Sequence, residues 1–267
     1  REQGVEWVIA NGDYDYDSKP KDFENFLNAQ LGNMFFTGIS GNHEDDVLST
    51  LDTFRGKQWD PWFGTGYKEY FFERHENQRA RGGPVCRGRN GKSLEDDYGE
   101  FMSCEHKNLF FVSAGWNQIS DSLLGAGGDP DAVAAFFEER LRSSTAKWKV
   151  CLFHRPEGEM HTNEKHSGDY KTQKVYEVCR RYGAFTSSGH VHSYFRSKLI
   201  SNYNTLEISP FNNDNVMTLK CGHIFSSIMG LGGRGLDPTR RQLPRHLITE
   251  YTARTGNIKS GSLVCDF

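Results

Sequence analysis

Residues whose side chains bind metal ions recur where apolar runs of this chain stop. Asp13 follows EWVIA in GDYDY; Asn42, His43 and Glu44 follow MFFTGISG; His154 closes WKVCLFH; His190 and His192 end AFTSSGHVH. Carboxylate, amide oxygen and imidazole are ligands for hard and borderline cations. Loops at strand ends are also where α/β proteins assemble sites from distant parts of the chain. One histidine after an apolar strand is ordinarily an edge residue. Four such groups in succession point instead to a metal-assisted reaction.

The elements that must carry these residues are legible from pattern. EWVIA reads as a short strand entering a Gly/Asp turn. PKDFENFLNAQL, residues 20–31, places Phe23, Phe26, Leu27 and Leu31 on one helical face with proline at its start. MFFTGIS is a second strand. A strand pair is expected in EFMSCEHKNLFFVSAG, helices over 129–143 and 172–182, and strands in WKVCLFH and AFTSSGH. Short strands with Gly, Asn and Pro turns follow from residue 194. Residues 75–99 show almost no apolar periodicity and are expected to form a polar surface insert. Strands alternating with helices give an α/β layered fold with mixed sheets, expected as a single domain over 1–267.

Composition bounds the function. Lys and Arg total 32 against 35 Asp and Glu, a net charge of −3, which excludes a nucleic-acid binder recruited by bulk charge. No apolar run approaches a membrane-spanning length. Six cysteines without a CxxC pair argue against a zinc ribbon. Three disulfides in a secreted chain suit the polar, aromatic-rich composition, with Cys86–Cys104 the favoured pair. Cys151, in an apolar strand, could equally be a buried thiol.

The order GD-x-x-Y, GNHE, a lone His after a strand, then GH-x-H resembles the calcineurin-like metallophosphoesterases. Tyr16 closing GDYDY, Glu44 in GNHE, the HRP after His154 and the GHVHSY run are most similar to the purple acid phosphatase branch. The resemblance implies a four-layer α/β/β/α sandwich with two mixed sheets and two metal ions where the sheets meet. It implies that Asp13 bridges the metals. Asn42, His154 and His190 complete a site for divalent Zn, Mn or Fe(II), while Tyr16 and His192 serve Fe(III). His43 would assist the leaving oxygen. The implied reaction is hydrolysis of phosphomonoesters by a metal-bridging hydroxide, with no Ser or Cys nucleophile. His161 and Arg155 would contact the phosphate ester.

The family's remaining carboxylate, in a DxG or DxH motif, belongs ahead of Asp13, so the first strand is expected to lie outside this chain. Asp97-Tyr98-Gly99 matches the letters but reads as a chance tripeptide. Two expectations stay open: an upstream segment or second chain supplies the acid, or the site has decayed. The rival functions are thus a catalytically silent phosphatase-like domain with a structural or binding role in a larger assembly, and a phosphodiesterase or nucleotidase.

Overall fold

The computed structural model describes residues 4–14, 19–45, 67–115, 129–156, 172–213, 216–232, 235–237, 245–251, 261–262 and 264–266. Strand β1 (Trp7–Ala10) is followed by helix α1 (Pro20–Leu31), with proline in its first turn, then β2 (Phe35–Gly38) and the single helical turn α2 (Asn42–Asp45). Next come α3 (Tyr67–Arg79), β3 (Val85–Arg87), α4 (Leu94–Asp97), β4 (Phe101–His106) and β5 (Leu109–Ala114). Helix α5 (Pro130–Ser143), β6 (Trp148–Phe153), α6 (Gln173–Arg181) and β7 (Phe185–Ser188) form the expected alternation. Short strands complete the chain: β8 (Tyr194–Ser197), β9 (Ile200–Asn202), β10 (Glu207–Ile208), β11 (Ser226–Met229) and β12 (Leu247–Tyr251).

One mixed sheet runs β12-β8-β11-β7-β6-β5-β4-β3; β5, β6, β7 and β11 are parallel, and the strands outside them pair antiparallel. Strands β1 and β2 pair in parallel as a separate sheet, and β9 with β10 as a small antiparallel one. Side chains alternate across each strand, so the two faces of the large sheet feed different cores. Phe110, Val112, Cys151 and Phe153 point toward α5 and α6, where Phe153 stacks between Phe137 and Tyr176 at 5.2 and 4.9 Å. Phe111, Val150 and Leu152 point the other way, and Trp7 of β1 packs on Phe111 at 5.3 Å. Phe36, on the far side of β2, meets Phe71 of α3 and Phe23 of α1. The layers are therefore helices, large sheet, small sheet, helices, which is the expected α/β/β/α sandwich.

The stretch 75–99 is exposed at most of its positions, yet it is built of regular elements. It contains the end of α3, the edge strand β3 and α4, and buries His75, Gln78, Asp97 and Tyr98. The inward positions of α3 are Tyr67, Lys68, Phe71, His75 and Gln78. Polar residues occupy several helix-spaced positions, which erases the apolar periodicity without preventing burial; Lys68 Nζ, for one, donates to the Asp96 carbonyl. Gln78 Oε1 accepts the Phe36 N–H at 2.7 Å.

Cysteine pairing is corrected. Cys86 and Cys104 face each other across β3 and β4 and are bonded, as expected. Cys151 bonds Cys179, tying β6 to α6. Among the described residues Cys221 and Cys265 are exposed free thiols, so two disulfides form rather than three. No helix among the described residues is long and apolar enough to cross a membrane.

Candidate metal centre

Parallel pairing brings the motif residues together. Ala10 sits opposite Gly38 in the small sheet, so the loops carrying Asp13 and Asn42 leave side by side. Phe153 sits opposite Ser188 in the large sheet, so His154 and His190 leave side by side at the facing edge. The Gly189 N–H donates to the His154 carbonyl at 2.9 Å and fixes that second pair. All four loops thus meet at the carboxyl ends of parallel strands, where such sheets place ligands.

Glycine makes the approach possible. A Cβ on Gly12, at φ +86°, would stand 2.5 Å from Gly41 Cα and 2.6 Å from His154 Nδ1. Two non-glycine residues of the site, Asp13 at φ +56° and His190 at φ +61°, hold left-handed backbone. That conformation is disfavoured for side-chain-bearing residues and costs on the order of 1–3 kcal/mol each.

Asn42 Oδ1 is the meeting point of the side chains. It lies 3.0 Å from His154 Nε2 and 2.7 Å from His190 Nδ1, and the imidazoles cross edge to face at 5.3 Å. His154 Nε2 also lies 3.3 Å from Asp13 Oδ1. Donor atoms of Asp13, His154 and His190 all fall within 4.8 Å of one another. His154 Nδ1 contacts the Asn11 carbonyl, which orients the ring so that Nε2 points into the cluster.

Glu44 braces the cluster from behind. Its Oε2 accepts the N–H groups of Asp13 at 2.9 Å and Gly41 at 2.7 Å, and its Oε1 accepts that of Tyr14 at 2.9 Å. The Glu44–Gly41 bond has the form of a helix-capping contact, an acid three residues into α2 reaching back to the residue before it. Tyr14 is not a ligand: its hydroxyl donates to the Ile39 carbonyl, and its ring is packed among Phe23, Tyr67 and Phe71.

Charge in the cluster is redistributed by burial and proximity. Burial opposes the Asp13 carboxylate, but His154's charge and hydrogen bond and the His43 N–H at 3.0 Å outweigh it and hold its pKa down. Burial likewise opposes a charged His154, yet Asp13 and the Asn11 carbonyl raise its pKa above the usual imidazole value. Glu44 is pushed up to about 8, by burial first and then by Asp13. A cation bonded to these atoms takes the place of the imidazole protons that bridge them.

The donors fit a divalent ion of the borderline class: one carboxylate, two imidazoles and one amide oxygen, converging from four loops. His192 is half-buried and stands outside that cluster; its backbone N–H donates to Asp237 Oδ2 at 3.0 Å. His43 is half-buried beside Asp13, and Arg155 follows His154. Tyr16 and His161 lie outside the described residues. Sequence pattern does not single out Asn11 or Asp237, and it offers Glu44 as a metal-ligand type and family marker rather than as the backbone brace it is. Glu44's spacing from Gly41 is a legible cap signal, whereas Asn11 acts through its carbonyl and Asp237 is remote in sequence.

A sequence model for the calcineurin-like phosphoesterase family matches residues 1–194. The chain belongs to the calcineurin-like phosphoesterase family. Among solved structures, this calcineurin-like phosphoesterase is similar to the purple acid phosphatase PPD1 from yellow lupin (Lupinus luteus) seeds. The TM-score is 0.56 at 16% identity, over 94% of this chain and 41% of the lupin chain. It therefore spans less than half the length of that phosphatase. Weaker likenesses reach PhoD, at TM-score 0.46 and 13% identity over 92% of this chain and 56% of that one. They also reach GAP50, the anchor in the inner membrane complex of Plasmodium, at 0.46 and 9% over 94% and 69%. A search of curated protein sequences finds no significant match.

Proposed function

We propose that this chain is a secreted, dinuclear-metal phosphomonoesterase of the purple acid phosphatase type. The observation that carries the reading is the convergence of Asp13, His154 and His190 on Asn42, within a chain of the phosphoesterase family. In this proposal Asp13 would serve both metal subsites. Asn42, His154 and His190 would hold a divalent Zn, Mn or Fe(II), and Tyr16 and His192 would hold Fe(III), whose preference for phenolate oxygen suits a tyrosine ligand. When bound, the metal pair supplies a nucleophile from water and neutralises the charge on a phosphate ester.

The chain's own residues divide the remaining work. Glu44 holds the Asp13 and Gly41 backbones in register, so the carboxylate stays aimed at the imidazoles. Asn11 keeps His154 in the tautomer whose Nε2 faces the site. His43, whose N–H anchors Asp13 Oδ1, is assigned the delivery of a proton from its ring to the departing oxygen. Arg155 and His161 are assigned to the phosphate oxygens. The two disulfides support an oxidising, extracellular setting.

The test is hydrolysis of p-nitrophenyl phosphate alongside metal analysis. Two ions per chain with turnover are expected, and His43→Ala should cost about 100-fold in turnover while leaving both ions bound. An unchanged rate in His43→Ala would overturn that residue's role. Absence of turnover with one ion or none bound would favour the silent, structural domain.

A further inference from the structure

The loop that carries His190 and His192 has little regular structure of its own. Val191 N–H bonds the Gly189 carbonyl and Ser193 N–H bonds the Val191 carbonyl, both at 2.7 Å and both spanning two residues. Such three-residue turns leave most of the backbone without ladder partners. His190 adds a left-handed conformation in the middle. A segment of this kind keeps one shape only when neighbouring chain segments hold it.

Three contacts do so. Gly189 N–H is fastened to the end of β6 through the His154 carbonyl, and the Ser193 carbonyl accepts the Gly230 N–H at 3.1 Å. Between them, His192 is gripped at both backbone groups by one residue. Its N–H donates to Asp237 Oδ2 at 3.0 Å, and its carbonyl accepts the Asp237 N–H at 2.9 Å. The reciprocal pair fixes the peptide on each side of the His192 Cα, and so the direction in which the imidazole leaves the chain. A charge-assisted bond to a carboxylate is among the stronger backbone anchors available.

We infer that Asp237 is the positioning residue of His192, setting the second metal subsite from a segment remote in sequence. The inference rests on the reading of His192 as a ligand. Asp237 acts through the backbone, so an acceptor of the same shape suffices. Asparagine, whose amide oxygen can take the same N–H, should replace it; alanine should not.

The test is titration of the full chain with Zn²⁺ alone, followed by calorimetry and metal analysis. The wild type is expected to bind two ions. Asp237→Ala should keep the first at unchanged affinity and weaken the second by about 10–100-fold. Asp237→Asn should bind both as the wild type does. His192→Ala should match Asp237→Ala, and the double variant should lose no more than either alone. General loss of folding would weaken both ions together, so the split between them separates positioning from mere structure. Should Asp237→Ala fail to fold, Asp237→Asn decides by itself. Two tight ions in Asp237→Ala, or a lost second ion in Asp237→Asn, would overturn the inference while leaving the metal centre standing. Fewer than two ions in the wild type would overturn the dinuclear reading and this inference with it.

Discussion

Asp13 and Asp97 are both carboxylates withdrawn from water, and the chain neutralises them in opposite ways. Asp97 is gripped by Arg89: Nη2 donates to Oδ1 at 2.6 Å, Nε to Oδ1 at 3.0 Å, and the Arg89 backbone N–H to Oδ2 at 2.6 Å. Asp13 faces His154 and the His43 N–H instead. A guanidinium keeps its proton at any pH a protein survives, so Asp97 is permanently satisfied. An imidazole can give up its proton, so the partner of Asp13 can yield its place to a cation. Asp97-Tyr98-Gly99 carries the letters of the motif missing ahead of Asp13, yet it serves the packing of β3 and α4. What separates a ligand from a structural carboxylate is the partner rather than the local sequence.

The difference can be broken from either side. The largest effect is expected for Asp13→Ala, which removes the group proposed to serve both subsites. Metal content should fall and p-nitrophenyl phosphate turnover should drop about 100-fold or more, with the fold retained by circular dichroism. Full metal content in that variant would remove Asp13 from the centre. Arg89→Ala should do the converse. It strands a buried carboxylate, and denaturant unfolding should show a loss of about 3 kcal/mol with metal content intact. A loss of metal there would mean that the two carboxylates are not independent.

The smallest effect sharpens the comparison through pH. His75 is buried against Tyr98, and burial holds its pKa below the ordinary 6.5. The unfolded chain therefore takes up a proton that the folded chain refuses. The stability from neutral His75 is present above about pH 6.5 and is lost as the pH falls through the folded value. His75→Leu should flatten the acid limb of the stability curve without changing metal content. A limb as steep as in the wild type would place the acid sensitivity elsewhere.

Much of this was legible in the sequence, for physical reasons that also mark where legibility ends. The helix over 20–31 is observed at Pro20–Leu31, because proline at its start and an apolar stripe both point to it. Asp13, Asn42, His154 and His190 were found because each follows an apolar strand, and parallel pairing delivers such ends to one edge. Helix α3 is not legible because its buried positions include Lys68, His75 and Gln78, so periodicity of hydrophobicity does not register it. The Cys151–Cys179 bond was missed because an apolar strand suits a thiol and a disulfide equally well. Asp237 reaches His192 only through the tertiary fold, and no spacing rule connects them.

The claim at the centre is that Asn42, His154 and His190 with Asp13 hold a metal ion. The most direct measurement is the metal content of purified His190→Ala against the wild type, by elemental analysis at matched folding. The account predicts that the variant carries one ion fewer per chain. Equal metal content in the two proteins would contradict it.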